Sequence, residues 1–229
     1  MFKNILLLVI IGYLCSCSDN APEANSNKPN IKETESVIKS PQKMGIPLLV
    51  IGDSLSAAHG IQPEQGWVHL LGQRIATQGY RVINASISGD TTSNGLRRLR
   101  KALQRYRPEI VVIELGANDG LRGLSLKAME NNLGSMITAA QEIGAKVLLL
   151  GMRIPPNYGK AYTQGFHQIY HDLAARYQIS LVPFFLEGVA LNRALMQSDE
   201  LHPNAVAQPE ILENVWVELG GMLKTGIER

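Results

Sequence analysis

The chain has 229 residues, 45% of them hydrophobic and 18% charged, which leaves room for one α/β domain plus a tail. A net charge of +2 and an aromatic content of 6% argue against an electrostatic nucleic-acid binder and against a stacking platform for single strands. Both cysteines, Cys15 and Cys17, stand at the extreme N-terminus, so the rest of the chain has no disulfide, no thiolate nucleophile and no cysteine metal site.

The first segment reads as a targeting signal. Lys3 supplies a positive start, and residues 5–14 (ILLLVIIGYL) form a largely apolar run. At 1.5 Å per residue the run is too short for a hydrocarbon layer of ~30 Å, but it suits a signal-peptide core. It ends in Leu14-Cys15-Ser16-Cys17, which resembles a bacterial lipobox with Cys17 as the lipid-accepting residue. Cys15 is unusual inside such a box, and a plain cleaved signal peptide is the alternative. Residues 18–44, rich in Asn, Ser, Pro, Lys and Glu, hold too few large apolar side chains to offset the entropy of ordering. They are expected to form a flexible tether with a reach of ~25–30 Å. The expected organisation is a signal peptide over 1–17, a tether over 18–44 and a folded domain over 45–229. The protein is then exported, periplasmic and held at a membrane through Cys17.

From Gly45 onward, short apolar runs alternate with longer amphipathic ones. Strands are expected at 46–51, 80–84, 109–115, 146–151 and 179–182, and helices at 67–78, 91–106, 125–143, 162–177 and 205–224. Continuously apolar strands separated by helices indicate a parallel sheet covered on both faces. The expected fold class is a single three-layer α/β/α domain with a doubly wound parallel sheet of about five strands. In such sheets the site lies beyond the carboxyl ends of the strands. Polar residues cluster at three of those ends, around Ser54, Gly89 and Asn118.

A serine hydroxyl is a poor nucleophile until a base takes its proton and a third group orients that base. Ser54 sits in a tight turn right after the first strand. Asp199 and His202, three residues apart on one late loop, can hydrogen-bond locally, which leaves the second imidazole nitrogen for Ser54. Acyl transfer also needs donors aimed at the developing oxyanion. The candidates are the backbone N–H groups of Ser54 and Gly89 and the side-chain amide of Asn118.

Gly52-Asp53-Ser54-Leu55-Ser56, the Gly89 block, Gly116-Ala117-Asn118-Asp119 and Asp199-x-x-His202 resemble the four ordered blocks of the SGNH (GDSL) hydrolases. Within these, Asn84 to Thr91, Gly116 to Gly123, Pro156-Asn157-Tyr158-Gly159 and Pro183-Phe184-Phe185 are similar to the bacterial thioesterase/arylesterase/lysophospholipase subgroup. The likeness covers about 46–225. It implies Ser54, Asp199 and His202 as the catalytic triad and Ser54, Gly89 and Asn118 as the oxyanion hole. One departure is Glu200-Leu201, where members commonly have Gly-Ile between Asp and His.

Each block taken alone has a plainer reading. Gly-Asp-Ser-Leu is often just a turn, Asn118-Asp119-Gly120 is an ordinary turn, and a histidine before Pro203 can be a surface residue. Asp53 and Asp90 read as braces of turns. His167 and His171, four apart on a helix, have the spacing of a zinc site, but Gln168 stands where a general base would be and no third ligand is apparent, so both read as helix-surface histidines. His59 and His69 have no identifiable partner. The run Arg97-Arg98-Leu99-Arg100-Lys101 reads as a solvated face, or else as weak steering toward anionic lipid.

The expected activity is hydrolysis of acyl esters or thioesters through an acyl-enzyme on Ser54, with lysolipids among the substrates. No cofactor, metal or nucleic acid is involved, and the protein is a monomer. The alternative is a carbohydrate-ester esterase or acyltransferase acting on cell-surface polysaccharide.

Overall fold

The computed structural model describes residues 45–223. The signal peptide, the tether and Cys17 lie outside the described residues. Five parallel strands form one sheet in the order β2-β1-β3-β4-β5. They are β1 (Ile46–Gly52), β2 (Tyr80–Asn84), β3 (Ile110–Glu114), β4 (Lys146–Leu150) and β5 (Ser180–Val182). Leu48 to Ile51 and Ile110 to Ile113 are fully buried, as apolar runs must be when helices cover both faces.

The connecting helices are α1 (Trp67–Ile75), α2 (Thr92–Tyr106), α3 (Ala117–Leu121), α4 (Leu126–Glu142), α5 (Lys160–Tyr177) and α6 (Gln208–Met222). Helix α1 packs on α6, while α2 packs on α4 and α4 on α5. This division follows from right-handed crossovers on a sheet whose strand order reverses after β2. The caps are local: the Thr91 hydroxyl accepts from Asn94 N–H at 3.4 Å and the Ser125 hydroxyl from Ala128 N–H at 3.3 Å. The expected doubly wound α/β/α fold is therefore present.

The differences from expectation are short-range. Helix α1 runs into a separate 3-10 turn at Ala76–Gln78, and the last helix starts as a 3-10 turn at Ala205–Ala207. Asn118-Asp119-Gly120 is not a plain turn but lies in the short helix α3. The Thr92 N–H and hydroxyl donate to the Asp119 carboxylate at 2.8 and 2.6 Å, a long-range bond that the local sequence does not reveal. The Arg97 to Lys101 run is also not uniformly solvated. Arg98 is turned inward, with Nε donating to Asp90 Oδ2 at 2.7 Å, one terminal nitrogen to Gly52 O at 3.1 Å and the other to Ala85 O. It ties the ends of β1 and β2 together.

Candidate active site

The order of the strands reverses between β1 and β3, and the loops after these two strands diverge to opposite sides of the sheet, leaving a crevice at their carboxyl ends. Ser54 follows β1 and Asn118 follows β3, so the topology itself brings them together. Gly52 ends β1 where a side chain has no space: a Cβ there would lie 2.6 Å from Glu114 Oε2 and 2.8 Å from Ser56 Oγ. The chain then turns tightly, with Ala57 N–H donating to Asp53 O at 3.0 Å and Leu55 N–H to Asp53 Oδ1 at 3.1 Å. The N–H of Ser54 takes part in neither bond and stays available to a ligand.

Ser54, His202 and Asp199 form one hydrogen-bonded line. Ser54 Oγ lies 2.9 Å from His202 Nε2, and His202 Nδ1 lies 2.6 Å from Asp199 Oδ2. A carboxylate only accepts, so the ring proton sits on Nδ1 and Nε2 is left to accept from the serine. The N–H groups of His202 and Leu201 donate to Asp199 Oδ1 at 3.0 and 2.9 Å. The His202 backbone bond, then its ring bond and the Leu201 bond hold the Asp199 carboxyl well below the usual carboxylate range. Asp199 therefore stays ionised wherever the imidazole needs a counter-charge. The Glu200 departure has a backbone consequence: its φ is +56°, the left-handed region in which glycine is at ease.

The oxyanion candidates are arranged less directly. Asn118 Nδ2 donates to Asp53 Oδ2 at 3.1 Å and to Asp90 O at 3.0 Å, so both amide hydrogens already have acceptors. A developing oxyanion would share one of them. Gly89 has φ +82° and its carbonyl accepts from Arg122 at 2.9 Å, while its N–H enters no bond of its turn. Gly89 does not line the cavity beside Ser54 and joins the site through Asp90, its neighbour, which Asn118 holds.

That cavity has a volume of about 440 Å³ and opens beside Ser54, Asn118 and His202. Its walls include Leu121, Met152, Ile154, Phe184 and Leu186, an apolar lining suited to a hydrocarbon chain.

Sequence reasoning missed two neighbours of this site. His59 is not without a partner: its ring centroid lies 4.5 Å from that of His202, tilted by 45°. Glu114 reads in the sequence as one more residue of an apolar strand, yet it is a fully buried carboxyl beneath the nucleophile turn, accepting from Ser56 Oγ at 2.8 Å and Asp53 N–H at 3.2 Å. An ionisable residue inside a run of Ile and Val was the signal that could have found it. Asp53 does brace a turn as expected, but it also reaches Asn118. His167 and His171 are not simply surface histidines: His167 is half-buried, its Nδ1 is 3.1 Å from Met152 O, and its Nε2 is 3.3 Å from His171 Nε2. Among the described residues no group of three or more His, Cys, Asp or Glu side chains is placed to hold a metal ion.

Such a fold, with a serine, histidine and aspartate in line at the switch point of the sheet, defines a serine hydrolase. Residues 50–208 match the model of the GDSL-like lipase/acylhydrolase family, and the chain belongs to that family. It is 51% identical over 189 residues to an esterase, TesA, of Pseudomonas aeruginosa, covering 82% of this chain and 94% of that one. It is 49% identical over 174 residues to an arylesterase of Vibrio mimicus (75% and 87%), and 42% identical over 166 residues to thioesterase 1/protease 1/lysophospholipase L1 of Escherichia coli (72% and 79%). The crystal structure of TesA superposes with a TM-score of 0.75 at 53% identity, covering 77% of this chain and 99% of that one. For the psychrotrophic esterase EstA from Pseudoalteromonas the values are 0.74, 41%, 78% and 99%. The protein is an ester-bond hydrolase.

Proposed function

We propose that the protein hydrolyses fatty acyl esters and thioesters through an acyl-enzyme on Ser54, with lysophospholipids in its substrate range. The observation that carries this reading is the Ser54–His202–Asp199 line opening into an apolar cavity. Ser54 Oγ attacks the carbonyl carbon while His202 Nε2 takes its proton, and Asp199 balances the imidazolium. The carbonyl oxygen becomes an oxyanion held by the N–H groups of Ser54 and Gly89 and by the Asn118 amide. His202 returns the proton to the leaving alcohol or thiol. Water, deprotonated by the same imidazole, then attacks the acyl carbon and frees Ser54.

The acyl chain fits among Leu121, Met152, Ile154 and Phe184. The names of the relatives, an esterase, an arylesterase and a thioesterase/lysophospholipase, support this acyl range. The apolar walls speak against a sugar ester as the main substrate. Export, with attachment of the chain to a membrane through Cys17, belongs to the same proposal and rests on the sequence of residues 1–17. No helix among the described residues is long and apolar enough to cross a membrane.

The test is Ser54→Ala assayed on p-nitrophenyl esters of graded chain length, lysophospholipid and acetylated sugar. The variant should fold as the parent does and lose turnover on every substrate, and the parent should prefer acyl chains to acetylated sugar. Normal turnover by Ser54→Ala would end the reading.

A further inference from the structure

Two carboxyl groups are buried side by side beneath the nucleophile turn. Asp53 and Glu114 are both wholly inaccessible to solvent, and neither forms a salt bridge among the described residues. Arg98, the nearby cation, is committed to Asp90 and to the carbonyls of Gly52 and Ala85. The other ionisable groups around the pair are Asp90 and His202, which act on Asp53, and the buried Tyr170. Tyr170 donates its hydroxyl to Leu115 O at 3.0 Å and so offers the pair no proton. Two bare negative charges in this setting would cost many kcal/mol, so the pair must hold a proton.

The hydrogen bonds say where that proton sits. Both oxygens of Asp53 receive donors, Oδ1 from Leu55 N–H and Oδ2 from Asn118. On Glu114, Oε2 receives two donors, from Ser56 and from Asp53 N–H, whereas the buried Oε1 has none. Asp53 and Glu114 are joined directly through the Asp53 N–H bond to Glu114 Oε2 at 3.2 Å, which sets two solvent-inaccessible carboxyl-bearing side chains side by side.

We propose that Glu114 is a neutral carboxylic acid that donates a hydrogen bond to the Asp53 carboxylate, and that this buried pair fixes the orientation of the Asn118 amide. Glu114 is then a positioning residue: it holds Asp53, Asp53 holds Asn118, and Asn118 meets the substrate. Burial first, and then the Asp53 charge, pushes the Glu114 carboxyl well above the usual carboxylate range, in keeping with this proton inventory. The inference rests on the reading of Asn118 as an oxyanion donor.

The first experiment needs no variant and no substrate. The full chain is labelled with carbon-13 at the glutamate side-chain carboxyl and its carboxyl resonances are followed by NMR at neutral pH. One glutamate should keep the shift of a protonated acid, and that signal should be missing from Glu114→Gln. If every glutamate titrates as an ordinary exposed carboxylate, the proposal is overturned.

The second experiment reads turnover. The amide of Glu114→Gln reproduces the acid bond for bond, accepting from Ser56 and Asp53 N–H and donating to the Asp53 carboxylate. Its kcat should stay within about threefold of the parent, and rescue by this neutral isostere is not what an essential negative charge would allow. A loss of a hundredfold, or a failure to fold, overturns the assignment. Glu114→Leu removes the donor and should lower kcat at least tenfold with little change in KM. Combined with Asn118→Ala it should cost no more than Asn118→Ala alone, because both act through one amide. Losses that multiply would show that Glu114 does not act through Asn118. If instead Ser54→Ala kept full activity, the esterase reading would fall while the glutamate resonance still reported on Glu114.

Discussion

Asp199 grips His202 at two points across a single turn: Oδ2 takes the ring Nδ1–H at 2.6 Å and Oδ1 takes the backbone N–H of the same residue at 3.0 Å. Backbone and side chain are thus fixed by one carboxylate, and Glu200, the first of the two residues between Asp199 and His202, bears the conformational cost. Glu200 at φ +56° is exposed, and its ion pair with Arg193 at 3.3 Å is solvated and weak. Glu200→Gly should therefore leave kcat unchanged. It should stabilise the fold by up to ~1 kcal/mol, since the left-handed strain of ~1–2 kcal/mol is partly offset by the greater entropy of glycine in the unfolded chain. Urea denaturation measures this, and a loss of stability would show that the Glu200 side chain matters.

Asp199→Asn should keep the fold and lower kcat. A fully enclosed triad loses about 10⁴ on such a change, but Asp199 is 42% exposed and water can partly replace its charge, so a drop of ~10²–10³ is expected. The wild-type carboxyl, being held low, contributes stability above the unfolded value of about 4 that is lost only as pH falls through the folded value. Acid loss of activity between pH 5 and 7 should therefore not come from Asp199, and pH–rate profiles of kcat/KM check this.

Asp53 behaves oppositely. Burial raises its carboxyl to about 6, against the lowering effect of the bonds from Leu55 and Asn118. Between about pH 4 and 6 the folded state then binds more protons than the unfolded state, so this group removes stability as pH rises through that window. Asp53→Asn abolishes the effect. The melting temperature of the variant minus that of the parent should increase from pH 4 to pH 7, measured by calorimetry. Its kcat should fall, because a single amide oxygen then replaces the two carboxylate oxygens that accept from Leu55 N–H and from Asn118, and the hold on Asn118 weakens.

Gly116→Ala should be strongly destabilising. Gly116 has φ +120°, and a Cβ there would lie 2.2 Å from the hydroxyl of Tyr170, a fully buried ring. A cost above ~2 kcal/mol is expected from strain and overpacking together, and turnover should drop because Asn118 lies two residues on. Denaturant titration followed by assay at low temperature separates the two effects.

Ala190 is a small side chain lining the apolar cavity, on the turn where its N–H donates to Leu186 O at 3.1 Å. Ala190→Phe should take up part of the cavity and reduce kcat/KM for long acyl esters by at least tenfold relative to short ones. An equal effect on all chain lengths would place the acyl chain elsewhere.

The amino-acid pattern by itself determined the layers of the fold and the order of its elements, because buried parallel strands read as continuous apolar runs and amphipathic helices repeat every 3.6 residues. It also pointed to Ser54, Asn118, Asp199 and His202, since chemistry of this kind needs specific side chains at strand ends and on a late loop. What it could not supply was distance. The 2.9 Å between Ser54 and His202, residues 148 apart, exists only because the sheet and α6 bring the late loop back over β1. The same holds for Arg98, which the local pattern assigns to a solvated helix face and the packing assigns to the ends of β1 and β2. Glu114 is the clearest case. In sequence it is a charged residue in an apolar strand, and only the burial of Asp53 against it turns an apparent solvation cost into a carboxyl pair beneath the nucleophile. Long-range proximity and desolvation depend on the whole chain at once, which is why neither could be read from any local stretch of it.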